Sequence, residues 1–177
     1  MRYLYLLSLL LFYSCTDNDN DVSIVRGAVE GYKPIYTKDT TGLKIITALP
    51  PHAVTKAGKI YVSGTRLFQV EVDSGVHVID YTDKQHPERS TFIKIPGCNE
   101  LAVKGDYLYV NNYDDMVVVD VSHLPEVAVT QRLQAVFRNS RQKYPPERGV
   151  LFECVDSSKG WVVDWQLTTI NNPKCER

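Results

Sequence analysis

The side chains that could do chemistry are few and scattered. The four histidines, His52, His77, His86 and His123, show neither an HExxH nor an HxH spacing, so each reads as a core or surface residue rather than a metal ligand. The carboxylate pair Asp114-Asp115 follows Asn111-Asn112-Tyr113, a hairpin-turn composition. Neighbours on a strand point to opposite faces, so the pair lacks glycosidase geometry; turn chemistry accounts for it, with a surface calcium ion as the alternative. Ser63-Gly64 lacks the preceding glycine of a GxSxG elbow, Gly58-Lys59 lacks the rest of a Walker loop, and no GxGxxG occurs. No catalytic constellation and no cofactor follow from these residues. Binding chemistry has more to work with: Tyr113, Trp161 and Trp165 are the expected exposed aromatics. Together with Asp114 and Asp115 they form the candidate ligand-binding set, while Tyr61, Tyr107 and Tyr109 read as packing residues.

These residues must be held by something, and the composition says what kind of chain holds them. The sequence has 177 residues, 20 Lys+Arg against 21 Asp+Glu, and 44% hydrophobic residues. That is too apolar for a disordered chain, and too evenly charged for nucleic-acid binding driven by a positive field. Lys59-Ile60-Tyr61-Val62, Leu67-Phe68-Gln69-Val70-Glu71-Val72 and Gly75-Val76-His77-Val78-Ile79-Asp80 are β-branched and aromatic runs bounded by turn residues, which predicts strands. Before them, glycines and prolines punctuate the chain. We expect a linker to about Asp39 and a strand at Leu43–Thr47. Helix signals are nearly absent, with one short helical turn expected in Gln131–Lys143 before Pro145-Pro146.

The amino terminus gives an address. Met1-Arg2 precedes an apolar run from Tyr3 to Tyr13, too short for the roughly 20 residues of a membrane span, so it reads as a secretory signal. Phe12-Tyr13-Ser14-Cys15 resembles the lipobox of bacterial lipoproteins, in the loose form of Bacteroidetes-type signals. The resemblance implies cleavage before Cys15 and lipidation of Cys15, hence a membrane anchor. Thr16-Asp17-Asn18-Asp19-Asn20-Asp21 is a solvated acidic tether that looks like the export signal of surface-exposed outer-membrane lipoproteins; the cell surface is favoured over the periplasmic face. The expected division is signal peptide 1–14, acidic tether and linker 15–39, and a β-repeat domain 40–177. With Cys15 acylated, an oxidising compartment favours one bridge among the remaining cysteines. We expect Cys154–Cys175, which flanks the Trp161–Trp165 strand, with Cys98 free and buried. The basic stretch Arg132, Arg138, Arg141, Lys143 and Arg148 reads as a solvated loop. Anionic lipid, polysaccharide or a partner are its alternative contacts.

The chain also repeats. Lys59-Ile60-Tyr61-Val62 … Val76-His77-Val78-Ile79-Asp80 is followed by Tyr107-Leu108-Tyr109-Val110 … Met116-Val117-Val118-Val119-Asp120, so that Asp80 and Asp120 lie 40 residues apart, the length of a propeller blade. A weaker third echo lies at Gly160–Trp165. The valine strands, with Ile93-Lys94-Ile95-Pro96-Gly97 and Ala102–Tyr109 around them, resemble the LVIVD-repeat family of propeller-like proteins. That resemblance implies architecture and little activity. Asp80 and Asp120 should cap the turns after their strands. About 130 residues suffice for three blades of ~40, fewer than a closed ring needs. The expected fold is all-β: an antiparallel β-repeat domain of two to three propeller blades in an open or incomplete ring. The expected function is non-catalytic binding or scaffolding for another envelope protein or an extracellular ligand. The alternatives are a glycan-binding accessory protein and an enzyme without a recognisable motif.

Overall fold

The valine-rich runs all become strands. In a computed structural model that describes residues 26–137 and 143–177, the chain begins with β1 (Ala28–Thr37), β2 (Thr47–Leu49), β3 (Ala57–Ser63), β4 (Arg66–Glu71) and β5 (Gly75–Asp80). It continues through β6 (Glu88–Lys94), β7 (Leu101–Lys104), β8 (Tyr107–Asn112) and β9 (Asp115–Asp120). It ends with β10 (Ala128–Leu133), β11 (Leu151–Phe152), β12 (Trp161–Asn171) and β13 (Cys175–Glu176). Helical structure among the described residues is confined to two 3-10 turns, Thr41–Lys44 and Ser157–Lys159. The signal peptide, Cys15 and the acidic tether to residue 25 lie outside the described residues, as do Arg138 and Arg141.

The first two sheets are the two repeats. Their strand orders are β2-β6-β5-β4-β3 and β10-β9-β8-β7, antiparallel throughout. Each carries a bulge at the same place: Ser90 is the extra residue opposite Val78, and Thr130 the extra residue opposite Val118. In both, the bulged hydroxyl donates to the facing carbonyl, Ser90 to Val78 at 3.0 Å and Thr130 to Val118 at 3.3 Å. Asp80 and Asp120 end their strands as expected, accepting the backbone N–H of Thr82 and Ser122 at 2.8 and 2.9 Å. Those bonds hold both carboxyls below their ordinary range.

The main core lies between the two repeats, where Phe68, Val70, Val76, Val78 and Ile93 meet Leu108, Val110, Val117 and Val119. At about 25 cal/mol per Å² of apolar surface, burying these side chains is the principal stabilising term. The turns are shaped around it. Gly97 has φ +71°, and a Cβ there would stand 2.7 Å from the Tyr113 ring.

The third sheet, β12-β1-β11-β13, and the segments between the sheets depart from expectation. Residues 28–37, expected as linker, form a ten-residue strand that pairs with β12 from Ala28↔Asn171 to Thr37↔Trp161. The Gly160–Trp165 echo therefore opens a long strand of this sheet rather than a third copy of the repeat. The strand expected at Leu43–Thr47 is a 3-10 turn over Thr41–Lys44, with the strand starting only at Thr47. The helical turn expected in Gln131–Lys143 is, in its described part, the end of β10 and a turn. Tyr32, Phe152, Val162 and Trp165 form a small second core here, with Phe152 and Trp165 edge to face at 5.4 Å between centroids. The Cys154–Cys175 disulfide staples its edge, and Cys98 is free and buried, both as expected.

Candidate functional site

A cleft of about 1020 Å³ opens between the three sheets. The first repeat gives it Lys56, Gly58, Lys59 and Asp73; the inter-repeat loop gives Gly97, Asn99 and Glu100; the second gives Asn111 and Tyr113; β12 gives Asp164 and Trp165. Asn111 fixes one wall. Its Oδ1 accepts the backbone N–H of Asn99 and Glu100 at 2.8 and 2.7 Å, and its Nδ2 donates to the Gly97 carbonyl at 2.8 Å. Lys56 pairs with Asp73 at 3.5 Å, and Lys59 with Glu100, along the rim. Burial, with the nearby Asp73 and Asp164 carboxylates, raises the Tyr113 phenol above its ordinary value, so it enters the cleft as a neutral hydroxyl. The cleft thus offers paired charges, fixed amides and an aromatic wall, which suits recognition of a polar surface.

The expected ligand set is divided by the structure. Tyr113 and Trp165 line this cleft together, but Trp165, expected to be exposed, is only 8% so and packs in the third-sheet core. Trp161 is exposed on β12, outside the cleft lining, with the Lys44 ammonium 6.0 Å from its ring centroid. Asp114 lies in the turn, where its carbonyl accepts the Phe137 N–H at 3.0 Å. Asp115 is buried at the start of β9, held by Lys44 Nζ at 3.0 Å, Arg132 Nη1 at 2.9 Å and the Ala135 N–H at 3.2 Å. Burial pushes its carboxyl up, but the Lys44 and Arg132 hydrogen bonds outweigh it and leave it below its ordinary range. Asp115 is a structural anchor, and with two protein cations on it the calcium reading loses that carboxylate. Tyr61 and Tyr107, expected to pack, are both 42% exposed. Cys98 is no nucleophile: burial pushes its thiol up to about 12.

The sequence reading did not locate two features. The first is a sheet edge beside β7 of the second repeat. Strand β3 ends its sheet, paired only with β4, and Ile60, Tyr61 and Val62 stand 58%, 42% and 50% exposed in succession. The second is a cluster on the first repeat, where His52, Glu71 and His77 each turn one donor atom inward, all within 4.8 Å of one another. The available signal was a comparison of the two copies: His77 stands where the second repeat has Val117, 40 residues on.

Two antiparallel repeat sheets, joined by a third sheet drawn from both parts of the chain and not closed into a barrel, define an open, propeller-like β-repeat domain. Residues 98–130, which span the second repeat from Cys98 to the middle of β10, match the family model of the LVIVD repeat. Neither the curated proteins nor the solved structures contain a match to this chain.

Proposed function

We propose that this chain is an exported, lipid-anchored, non-catalytic binding module. Its partner is another envelope protein that presents an extended segment to the β3 edge and reaches into the neighbouring cleft. The observation that carries this reading is the run Ile60-Tyr61-Val62: apolar, exposed and on an edge strand whose residues Gly58 and Lys59 already line the cleft. An edge of this kind exposes unpaired backbone N–H and C=O groups, which a partner strand satisfies while its alternate side chains find pockets. The Cys154–Cys175 bridge is in keeping with an oxidising compartment, and the Ser14-Cys15 step supplies the anchor. Cys15→Ala is expected to release the protein from membranes.

Capture from solubilised outer membrane tests the partner. The full chain should retain a stable envelope protein, and Ile60→Lys with Val62→Lys should lose it with an unchanged melting temperature, since both side chains are exposed. Capture that survives the double substitution removes the β3 edge from the interface. A glycan partner is the second reading, favoured by Tyr113, Trp165 and Asp164 in one cleft; glycan-array binding that is abolished by Tyr113→Ala would select it.

A further inference from the structure

The outward face of the first repeat holds a polar cluster that the blade does not need. In β4 and β5, Gln69 pairs with His77 and Glu71 with Gly75, so Glu71 and His77 are diagonal neighbours on one face; Phe92 of β6 lies opposite His77. The segment after β2 folds over this face. It lays His52 against Phe92 at 4.4 Å and against His77 at 4.8 Å between ring centroids. Glu71 and His77 are buried, and His52 remains partly exposed.

The second repeat builds the same blade differently. Its residues equivalent by register are Asn112, Val117 and Arg132, and its carboxylate, Asp115, is matched by Lys44 and Arg132. In the first repeat, Glu71 has only imidazoles as ion-pair partners among the described residues: His77 Nε2 at 2.7 Å and His52 Nε2 at 3.8 Å. A buried carboxylate without a matched cation costs stability, and an apolar pair in its place is often neutral or better. Stability of the blade therefore does not explain the cluster.

Its atoms are oriented as ligands. His52 Nδ1 is 2.9 Å from the Ala53 carbonyl, a bond that puts the proton on Nδ1 and turns the lone pair of Nε2 inward. Glu71 Oε1 accepts the Thr55 N–H at 3.2 Å and the Thr55 hydroxyl, which leaves Oε2 for the cluster. His77 Nδ1 is buried with no partner, so the polar engagement of that ring is through Nε2 toward Glu71. A tetrahedral zinc ion holds nitrogen and oxygen ligands about 3.3 Å apart, given bonds of about 2.0–2.1 Å. The 2.7 and 3.8 Å separations from Glu71 Oε2 to the two imidazoles bracket that value, and all three atoms lie within 4.8 Å of one another.

We propose that His52 Nε2, Glu71 Oε2 and His77 Nε2 form a binding site for a divalent transition metal, zinc being the best match to two imidazoles and one carboxylate. His52 and Glu71 also line a pocket of about 390 Å³, with Ser74 and Lys94, from which water or an anionic ligand would complete the coordination. The ion supplies the positive charge that Glu71 lacks.

The test uses the purified full chain and Zn²⁺ alone, read by isothermal titration and metal content after desalting, with Co²⁺ as an optical probe. The expected result is one equivalent bound and tetrahedral Co²⁺ bands. His52→Ala, at a partly exposed position that leaves the fold intact, should weaken binding by at least about tenfold. Glu71→Gln should do the same, and His86→Ala should leave binding unchanged. The absence of zinc binding in the native chain, or binding unaltered by both His52→Ala and Glu71→Gln, overturns the proposal.

Discussion

Asp115 separates a structural carboxylate from a ligand-binding one, because the two roles predict opposite effects of its removal. Asp115→Ala deletes the acceptor of three donors: Lys44 Nζ, Arg132 Nη1 and the Ala135 N–H. Removing one partner from a buried ion pair costs about 3–5 kcal/mol. Here the bill is smaller. Lys44 is 47% exposed and rehydrates, while Arg132 keeps the Asn112 Oδ1 at 2.7 Å and the Lys44 carbonyl at 3.0 Å. A net loss of about 2–3 kcal/mol remains, which for a chain of this size lowers the melting temperature by about 4–12 °C. Calorimetry or urea unfolding of the full chain reads it directly. The pH dependence provides a second test. Because the folded carboxyl titrates below its unfolded value, its contribution is complete above the unfolded pKa of about 4. It is lost as pH falls through the folded value, so the gap between native and Asp115→Ala proteins should close on acidification. A change under about 0.5 kcal/mol at neutral pH, the range of ordinary surface substitutions, would refute the anchoring role.

Other outcomes follow from the same contacts. Reduction of Cys154–Cys175, or Cys175→Ser, should cost about 3 kcal/mol by loop entropy, read as a lower urea midpoint. Gly97→Ala meets both a left-handed φ of +71° and the Tyr113 ring at 2.7 Å; it should cost more than about 1 kcal/mol and quench partner capture by displacing Tyr113. Cys98 should resist iodoacetamide at pH 8 in the folded chain and react once urea unfolds it, as checked by mass spectrometry.

The repeats were legible because their information is local. Valine runs bounded by glycine and aspartate turns fix strand, turn and period together, and Asp80 and Asp120 act as their type and place suggest. Strand β1 was illegible because the residues that make it possible resemble linker residues. Gly31 is required by close approach, since a Cβ there would stand 2.4 Å from Ile170 Cδ1 and 2.6 Å from the Leu151 carbonyl. Pro34 pairs with Trp165 on one side, while on the other side β11 meets β1 only at Tyr32, so the missing N–H leaves no ladder bond unmade there. Arg132 looked like part of a solvated basic stretch, yet from the neighbouring strand β10 it is one of the cations that neutralise Asp115. His52 and His77 are 25 residues apart with strands β3 and β4 between them, so no short spacing could announce their contact. In each case the missing information was a long-range contact.

Openness of the ring connects both proposals. In stacked blades, one face of each sheet packs on the next, and here Val76 and Val78 of the first repeat join Val117 and Val119 of the second in one buried cluster. On the opposite face of the first repeat, which bears His77 and Phe92, no other repeat sheet packs among the described residues. The short segment carrying His52 and Thr55 closes over it instead. Packing another repeat on that face would demand an apolar surface there, as Val117 supplies in the second copy, and a carboxylate and two imidazoles stand there instead. Strand β3 is the edge of the same sheet, with Ile60 and Val62 exposed. A closed propeller buries both surfaces between blades. Among the described residues, the two repeat sheets, with the β1–β12 sheet beside them, leave open a strand edge and a polar cavity, the surfaces on which the proposed partner and the proposed metal site rest.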